Sequence, residues 1–234
     1  MRDQNYNSRK KQLMKDLDKS IACSKSMLIS LFGCEHTDSL LEEIRSEYEI
    51  IIPQIPFIGH KNPSLVFLIP KSRYLAIYRV LRRRGITFEE TTQIMYRMGE
   101  AELDAIPLLL RRIVGFFWFS SIYKWRIKKR AQESQERQYP GGYVFEYVEG
   151  DGRTFDYGID YTECAGCKFF TQQGVPELSP LMCAIDIAAS ERFGWGLTRT
   201  MTIADGHQKC DFRYKKGGKT AIALSPAVKE ACRL

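Results

Sequence analysis

The 234 residues carry 35 Lys and Arg against 28 Asp and Glu, a formal charge of +7, and 44% of them are hydrophobic and 12% aromatic. That composition excludes a disordered chain, which has too few apolar side chains to form a core. The length suits one large domain, or a helical part joined to a smaller mixed part.

The N-terminal "MRDQNYNSRKKQLMKD" starts charged and has no apolar stretch behind it. Seven cysteines, at 23, 34, 164, 167, 183, 210 and 232, make an odd number. The expectation is a reducing cytoplasm with free or metal-bound thiols, not a disulfide framework. Leu13, Leu17, Ile21, Leu28 and Leu31 recur at helical spacing over residues 9–31. Three prolines in "IIPQIPFIGHKNPS" (51–64) forbid a long helix there, so this is a linker or extended arm. "SRYLAIYRVLRRRG" (72–85) is a helix stopped by Gly85. Thr87 followed by Glu90 is a capping box, opening a helix to about Asp104. Pro107 suits the first turn of another helix, which would continue to about Gln138.

After "YPGG" (139–142) the pattern changes. Two β-rich runs surround "EGDG" within residues 142–161, a hairpin signal. "CAGCKFFTQQG" (164–174) is a short helix or turn, and residues 175–194 form a helix after their prolines. "WGLTRTMTIA" and "KCDFRYK" make a second strand pair, and the tail from Gly217 is irregular or a short helical cap. The expected fold class is α+β: a helical N-terminal half, 1–138, packed with an antiparallel sheet of about four strands in 139–234, as one continuous globular unit.

Charge divides along the same line. Residues 1–138 hold 24 basic and 16 acidic side chains, and residues 139–234 hold 11 and 12. A positive half attracts acidic partners, although solvated helix faces produce the same imbalance. The best membrane-span candidate is split by Arg111 and Arg112. The apolar run behind them, Ile113 to Tyr123, has 11 residues, against roughly 20 needed to cross a bilayer. "KWRIKKR" (124–130) follows, and aromatics beside a basic cluster suit weak contact with a membrane surface. The alternative is a buried helix with a charged, exposed end. No nucleic-acid motif, Walker loop, Rossmann fingerprint or Ser elbow is present, so no nucleic-acid partner is expected.

Alternation assigns Trp195, Leu197, Arg199, Met201 and Ile203 to one strand face, and Gly196 and the threonines, Thr200 among them, to the other. Arg199 thus shares an apolar face, where an unpaired guanidinium is costly. It needs a carboxylate, either from a ligand or from the protein, with Asp186 and Asp211 as the internal alternatives. Cys210 shares a face with Phe212 and Tyr214, opposite Asp211 and Arg213. Cys183 and Asp186, three apart on a helix, share a face. Cys164, Cys167, Cys183 and Cys210 have the spacing Cys-x2-Cys-x18-Cys-x26-Cys, with a thiolate set that suits zinc or iron. Cys-x-x-Cys is also a redox spacing. His207, three residues before Cys210, offers a Cys–His dyad only if both side chains turn to the same place.

The run "YTECAGCKFF…GVPELSPLMCAIDIA…LTRTMTIADGHQKCDFRY" resembles the L-2-amino-thiazoline-4-carboxylic acid hydrolase family. The resemblance rests on Cys164, on Gly174 with "PEL" at 176–178, and on Cys183 with Asp186. "L-x-R-T-x-T-I" at 197–203 and "G-x-x-x-C-D-F-R-Y" at 206–214 complete it. Cys167 and His207 fall outside the shared pattern. The resemblance implies a hydrolase that opens a 2-aminothiazoline ring to N-carbamoyl-cysteine. Arg199 and Thr200 are then substrate-binding candidates, and Cys210, Asp186 and Cys183 catalytic candidates. Cys164, Cys183 and Cys210 are metal-ligand candidates for zinc or iron, with Cys167 in reserve. The expected partner is a small carboxylated molecule, with a homodimer as a further possibility. A distant similarity to sensor domains of the 4-vinyl-reductase type implies the alternative, ligand binding without turnover.

Overall fold

In a computed structural model, which describes residues 5–232, four long helices come first: α1 (Lys10–Phe32), α2 (Cys34–Ile51), α3 (Leu65–Arg83) and α4 (Phe88–Asp104). Gly33, at φ 80°, turns the chain between α1 and α2 with a conformation that L side chains resist. The three prolines fall between α2 and α3 or in the 3₁₀ turn that ends α2. α3 begins earlier than its sequence pattern suggests and carries Pro70 inside it. The capping box is present: the Thr87 side chain accepts from the Glu90 amide, and Glu90 reaches back to the Thr87 amide.

The next stretch is two helices, not one. α5 (Leu108–Trp118) stops at Phe119, and α6 (Ser121–Gln135) starts afresh with Ser120 as its N-cap, accepting from the Tyr123 amide. Ser120 competes for the backbone where a helix interior would need it to comply.

Then come β1 (Val144–Glu149), β2 (Tyr157–Glu163), α7 (Ala165–Gln172), α8 (Leu178–Phe193), β3 (Leu197–Arg199), β4 (Cys210–Tyr214), β5 (Ala221–Ile222) and α9 (Pro226–Cys232). The sheet order is β1-β2-β4-β3-β5. The first four strands pair antiparallel, as expected. The fifth corrects the expectation: β5 lies parallel to β3, so the sheet is mixed. Two residues of strand carry no readable alternation, which is why the tail looks irregular in sequence. The class remains α+β, helical first and sheet-bearing second.

By its internal contacts the chain divides into two units, one ending at Ala105 and the other Ile106–Lys229, with residues 230–232 belonging to the first. In the first, Leu13, Leu17, Leu40, Ile44, Leu75 and Met95 are among the buried residues. Glu102 of α4 is held there by Arg73, Tyr74 and Ser20.

In the second unit, Ile127 and Ala131 of α6 pack against Phe145, Tyr157, Ile159, Leu197 and Tyr214 on one sheet face. Aromatics dominate that layer. Tyr157 stacks on Tyr147 and on Tyr214, and Trp118 stacks on Trp195. The other face is polar, and Asp160 lies there between Lys209 and Arg213. α5 is drawn close to α8 at Gly115, where an added Cβ would lie 2.2 Å from the Phe193 carbonyl oxygen. Gly115→Ala therefore forces backbone apart. It is expected to destabilise the second unit by about 2 kcal/mol, read as a lower urea midpoint.

Candidate functional site

The elements converge at one end of the sheet. β2 runs to this end and β4 leaves it, with Tyr161 opposite Cys210. β3 also ends here, at Arg199, and β1 begins here, with Val144 opposite Glu163. Cys164 links β2 to α7, and α8 supplies Cys183 and Asp186.

Arg199 is buried as its strand position requires, with its side chain fully closed to solvent. Its Nη1 donates to Asp186 Oδ2 at 2.5 Å and its Nη2 to the Cys183 carbonyl at 3.0 Å. The guanidinium lies 4.9 Å from the Phe212 ring centroid. Of the two internal carboxylates, Asp186 is thus the partner. Burial opposes the charge on Arg199, and Asp186 more than compensates, raising its pKa. Asp186 remains 37% exposed, so the pair has one closed end and one open end. The Arg199 Nε is buried without a hydrogen-bond partner, so the guanidinium keeps a spare donor, but the member of the pair that is open to solvent is Asp186.

Asp211 serves another purpose. It lies on the polar face, yet it is buried because Oδ1 accepts from the Thr200 and Met201 amides, at 2.9 and 2.6 Å, and Oδ2 from the Thr200 hydroxyl at 2.6 Å. It thereby ties the chain leaving β3 to β4 and occupies the Thr200 hydroxyl.

The sulfurs come near one another. Cys167 is hydrogen-bonded to Cys164 and to Ser179, and the Cys164 contact, ahead of burial, raises its pKa. Burial pushes the Cys183 thiol up to about 12, although Arg199 pulls the other way. Burial likewise pushes Cys210 up to about 11, against the Ile203 amide, which donates to its sulfur at 3.2 Å. Both are thiols at neutral pH. His207 sits exposed on its turn while Cys210 is buried, so the two do not form a dyad.

Among the described residues no three His, Cys, Asp or Glu side chains gather as a metal ion requires. Cys164, Cys183 and Cys210 influence one another's charge without forming a ligand set. The donors do not fit zinc or iron as placed.

One residue was not singled out by sequence. The Tyr143 hydroxyl is buried without a hydrogen-bond partner. Burial raises its pKa well above the ordinary value, reinforced by Cys164, Cys167, Cys183 and Asp186, which places it among them. An orphan hydroxyl beside a carboxylate and several thiols is a group with capacity to spare for a ligand.

The site thus draws on residues 143–210. The family model described as L-2-amino-thiazoline-4-carboxylic acid hydrolase matches residues 69–214, more than half the chain. The chain belongs to that family. Every residue of the sheet-end cluster lies inside the segment that defines it as an L-2-amino-thiazoline-4-carboxylic acid hydrolase family member, as do α5 and α6. Neither a curated protein nor a solved structure matches the chain.

Two outcomes follow for this family member. Asp186→Asn strands a buried guanidinium and is expected to cost about 3 kcal/mol, whereas Asp186→Asn with Arg199→Met removes both charges and recovers most of it in urea unfolding. Iodoacetamide at pH 8 should modify exposed Cys34 and spare Cys183 and Cys210, whose thiolate fraction is about one in a thousand or less. Mass spectrometry after digestion checks this, and labelling of Cys210 should accelerate as the pH nears 11.

Proposed function

We propose that the sheet-end cluster catalyses hydrolytic opening of a small carboxylated cyclic amidine, of which 2-amino-thiazoline-4-carboxylate is the example. The observation that carries this reading is the half-closed ion pair. A fully buried Arg199 fixes Asp186 in one orientation, while Asp186 itself stays open at 37% exposure. A carboxylate held this way suits a general base.

In the proposed step Asp186 takes a proton from water as its oxygen bonds to the ring carbon between nitrogen and sulfur. That proton passes from Asp186 to the ring nitrogen as its double bond to this carbon opens; the carbon–sulfur bond then breaks, the added hydroxyl becomes the carbonyl, and its proton passes through Asp186 to the leaving sulfur. The product is an N-carbamoyl thiol. Tyr143 stays protonated through the physiological range and donates a hydrogen bond to the charge that develops at the leaving group. Cys183 and Cys210, held as thiols, give a soft and polarizable lining for the ring sulfur. Arg199 acts on the substrate through Asp186 and is a positioning residue; Thr200 contributes by holding Asp211.

Incubation with 2-amino-thiazoline-4-carboxylate should release thiol, counted with a thiol reagent after protein removal, along with N-carbamoyl-cysteine by mass spectrometry. Asp186→Asn with Arg199→Met, whose retained fold the urea midpoint checks, should lower kcat by about a hundredfold or more. Tyr143→Phe should lower it by about tenfold or more with little change in KM. Ligand binding without thiol release would instead make the cluster a small-molecule sensor, and full activity in the double variant would remove Asp186 from the mechanism.

A further inference from the structure

The helices α5 and α6 expose what a protein of this kind ordinarily hides. Eight of the twelve large exposed apolar residues among the described residues lie between Leu108 and Trp125. Leu109 is 71% exposed, Phe116 68%, Trp125 62% and Ile122 60%. Scattered single apolar residues on a surface need no explanation, but a contiguous set does.

The packing of each helix fixes which side this is. On α5 the inner side is marked by Gly115 against the Phe193 carbonyl and by Trp118 stacked on Trp195. Leu109, Ile113 and Phe116, at spacings of four and three, lie on the opposite side. On α6 the inner side is Ile127 and Ala131, buried against the sheet. Ile122, Trp125, Arg126 and Lys129, at i, i+3, i+4 and i+7, form an exposed stripe away from it. The turn at Phe119 and Ser120 makes the two apolar surfaces neighbours.

Charge identifies the occupant. From residue 105 to 132 there are seven Lys and Arg and no Asp or Glu. Arg112, Arg126, Lys128 and Lys129 are exposed. Lys216 adds a cation from another element, its Nζ 4.8 Å from the centroid of the Phe116 ring. Lys128, beside the stripe, pairs with Glu149, and Glu133 lies 3.9 Å from Lys129 at the C-terminal end of the stripe. A second copy of this chain is disfavoured, because a symmetric pair would set Arg112 and Arg126 against themselves with no acidic residue in the segment to offset them. No described helix is long and apolar enough to cross a bilayer.

We propose that α5 and α6 dock the protein on an anionic lipid surface, with their apolar faces entering the boundary between headgroups and acyl chains and Arg112 and Arg126 pairing with lipid phosphates. Trp125 sits at the depth where aromatic side chains favour the interface, and the long basic side chains lay their stems on the apolar face while their charges reach the headgroups. This is independent of the chemistry at the sheet end.

The test is sedimentation of the full chain with vesicles of phosphatidylcholine alone and of phosphatidylcholine mixed with phosphatidylglycerol. Binding is expected to the anionic vesicles at low salt and to fall as salt rises. Tryptophan emission should shift to the blue on binding, and Trp125→Phe should remove the shift. Phe116→Glu with Trp125→Glu, and separately Arg112→Glu with Arg126→Glu, should each weaken binding by about tenfold or more. These side chains are exposed, and an unchanged circular dichroism spectrum checks that the fold persists. Absence from anionic vesicles at low salt, or equal binding by both variants, would overturn the proposal. So would a concentration-dependent dimer, formed without lipid and abolished by Phe116→Glu with Trp125→Glu, which would assign the face to self-association.

Discussion

The buried ion pair between Arg199 and Asp186 is the constraint around which the second half of the chain is arranged. A guanidinium in an apolar layer has few acceptable neighbours, and here they are one carboxylate, one carbonyl and the face of Phe212. Satisfying it requires α8 to cross the end of β3 at one particular turn. That single requirement brings the Cys183–Asp186 face over the strand ends that carry Cys210 and Cys164. The geometry of the cluster is thus partly a by-product of neutralising a charge. This also explains why Asp186 can stay in contact with solvent without wandering: its partner is immobile.

A second carboxylate divides the labour. Asp211 holds the chain after β3 by three hydrogen bonds and Asp186 holds the strand to the helix. Both sit at the same end of the sheet and on opposite faces, so the exit of β3 is clamped from two sides. A three-residue strand could not otherwise be expected to fix its terminal side chain well, since strand pairs draw their order from neighbours and not from their own length.

Much of this was legible in the sequence because alternation is a strict geometric rule. Leu197 and Arg199 are inward and Thr198 outward, as period two requires, and the inward Cys210 follows from the same count. Thr87 and Glu90 announced their capping box by chemistry alone. Other features depend on tertiary contact and leave no such trace. Tyr143 looks like any aromatic before a strand, and only its lack of a partner in three dimensions distinguishes it. Asp211 is outward by count but buried by its hydrogen bonds. The break between α5 and α6 rests on Ser120 taking an N-cap position inside a continuous aromatic run, and β5 is too short to have a pattern. The choice between Asp186 and Asp211 as the partner of Arg199 is likewise a matter of distance, which spacing does not encode.

The ring stack of Trp118 on Trp195, with centroids 4.4 Å apart and planes 18° from parallel, joins α5 to the residue that leads into β3. Phe193 lies against the same indole at 4.9 Å, extending the column to the end of α8. Indoles held this near one another share their electronic transitions. The second unit therefore carries its own optical signature in the near ultraviolet, sensitive to the seating of α5 and indifferent to the helices that precede it.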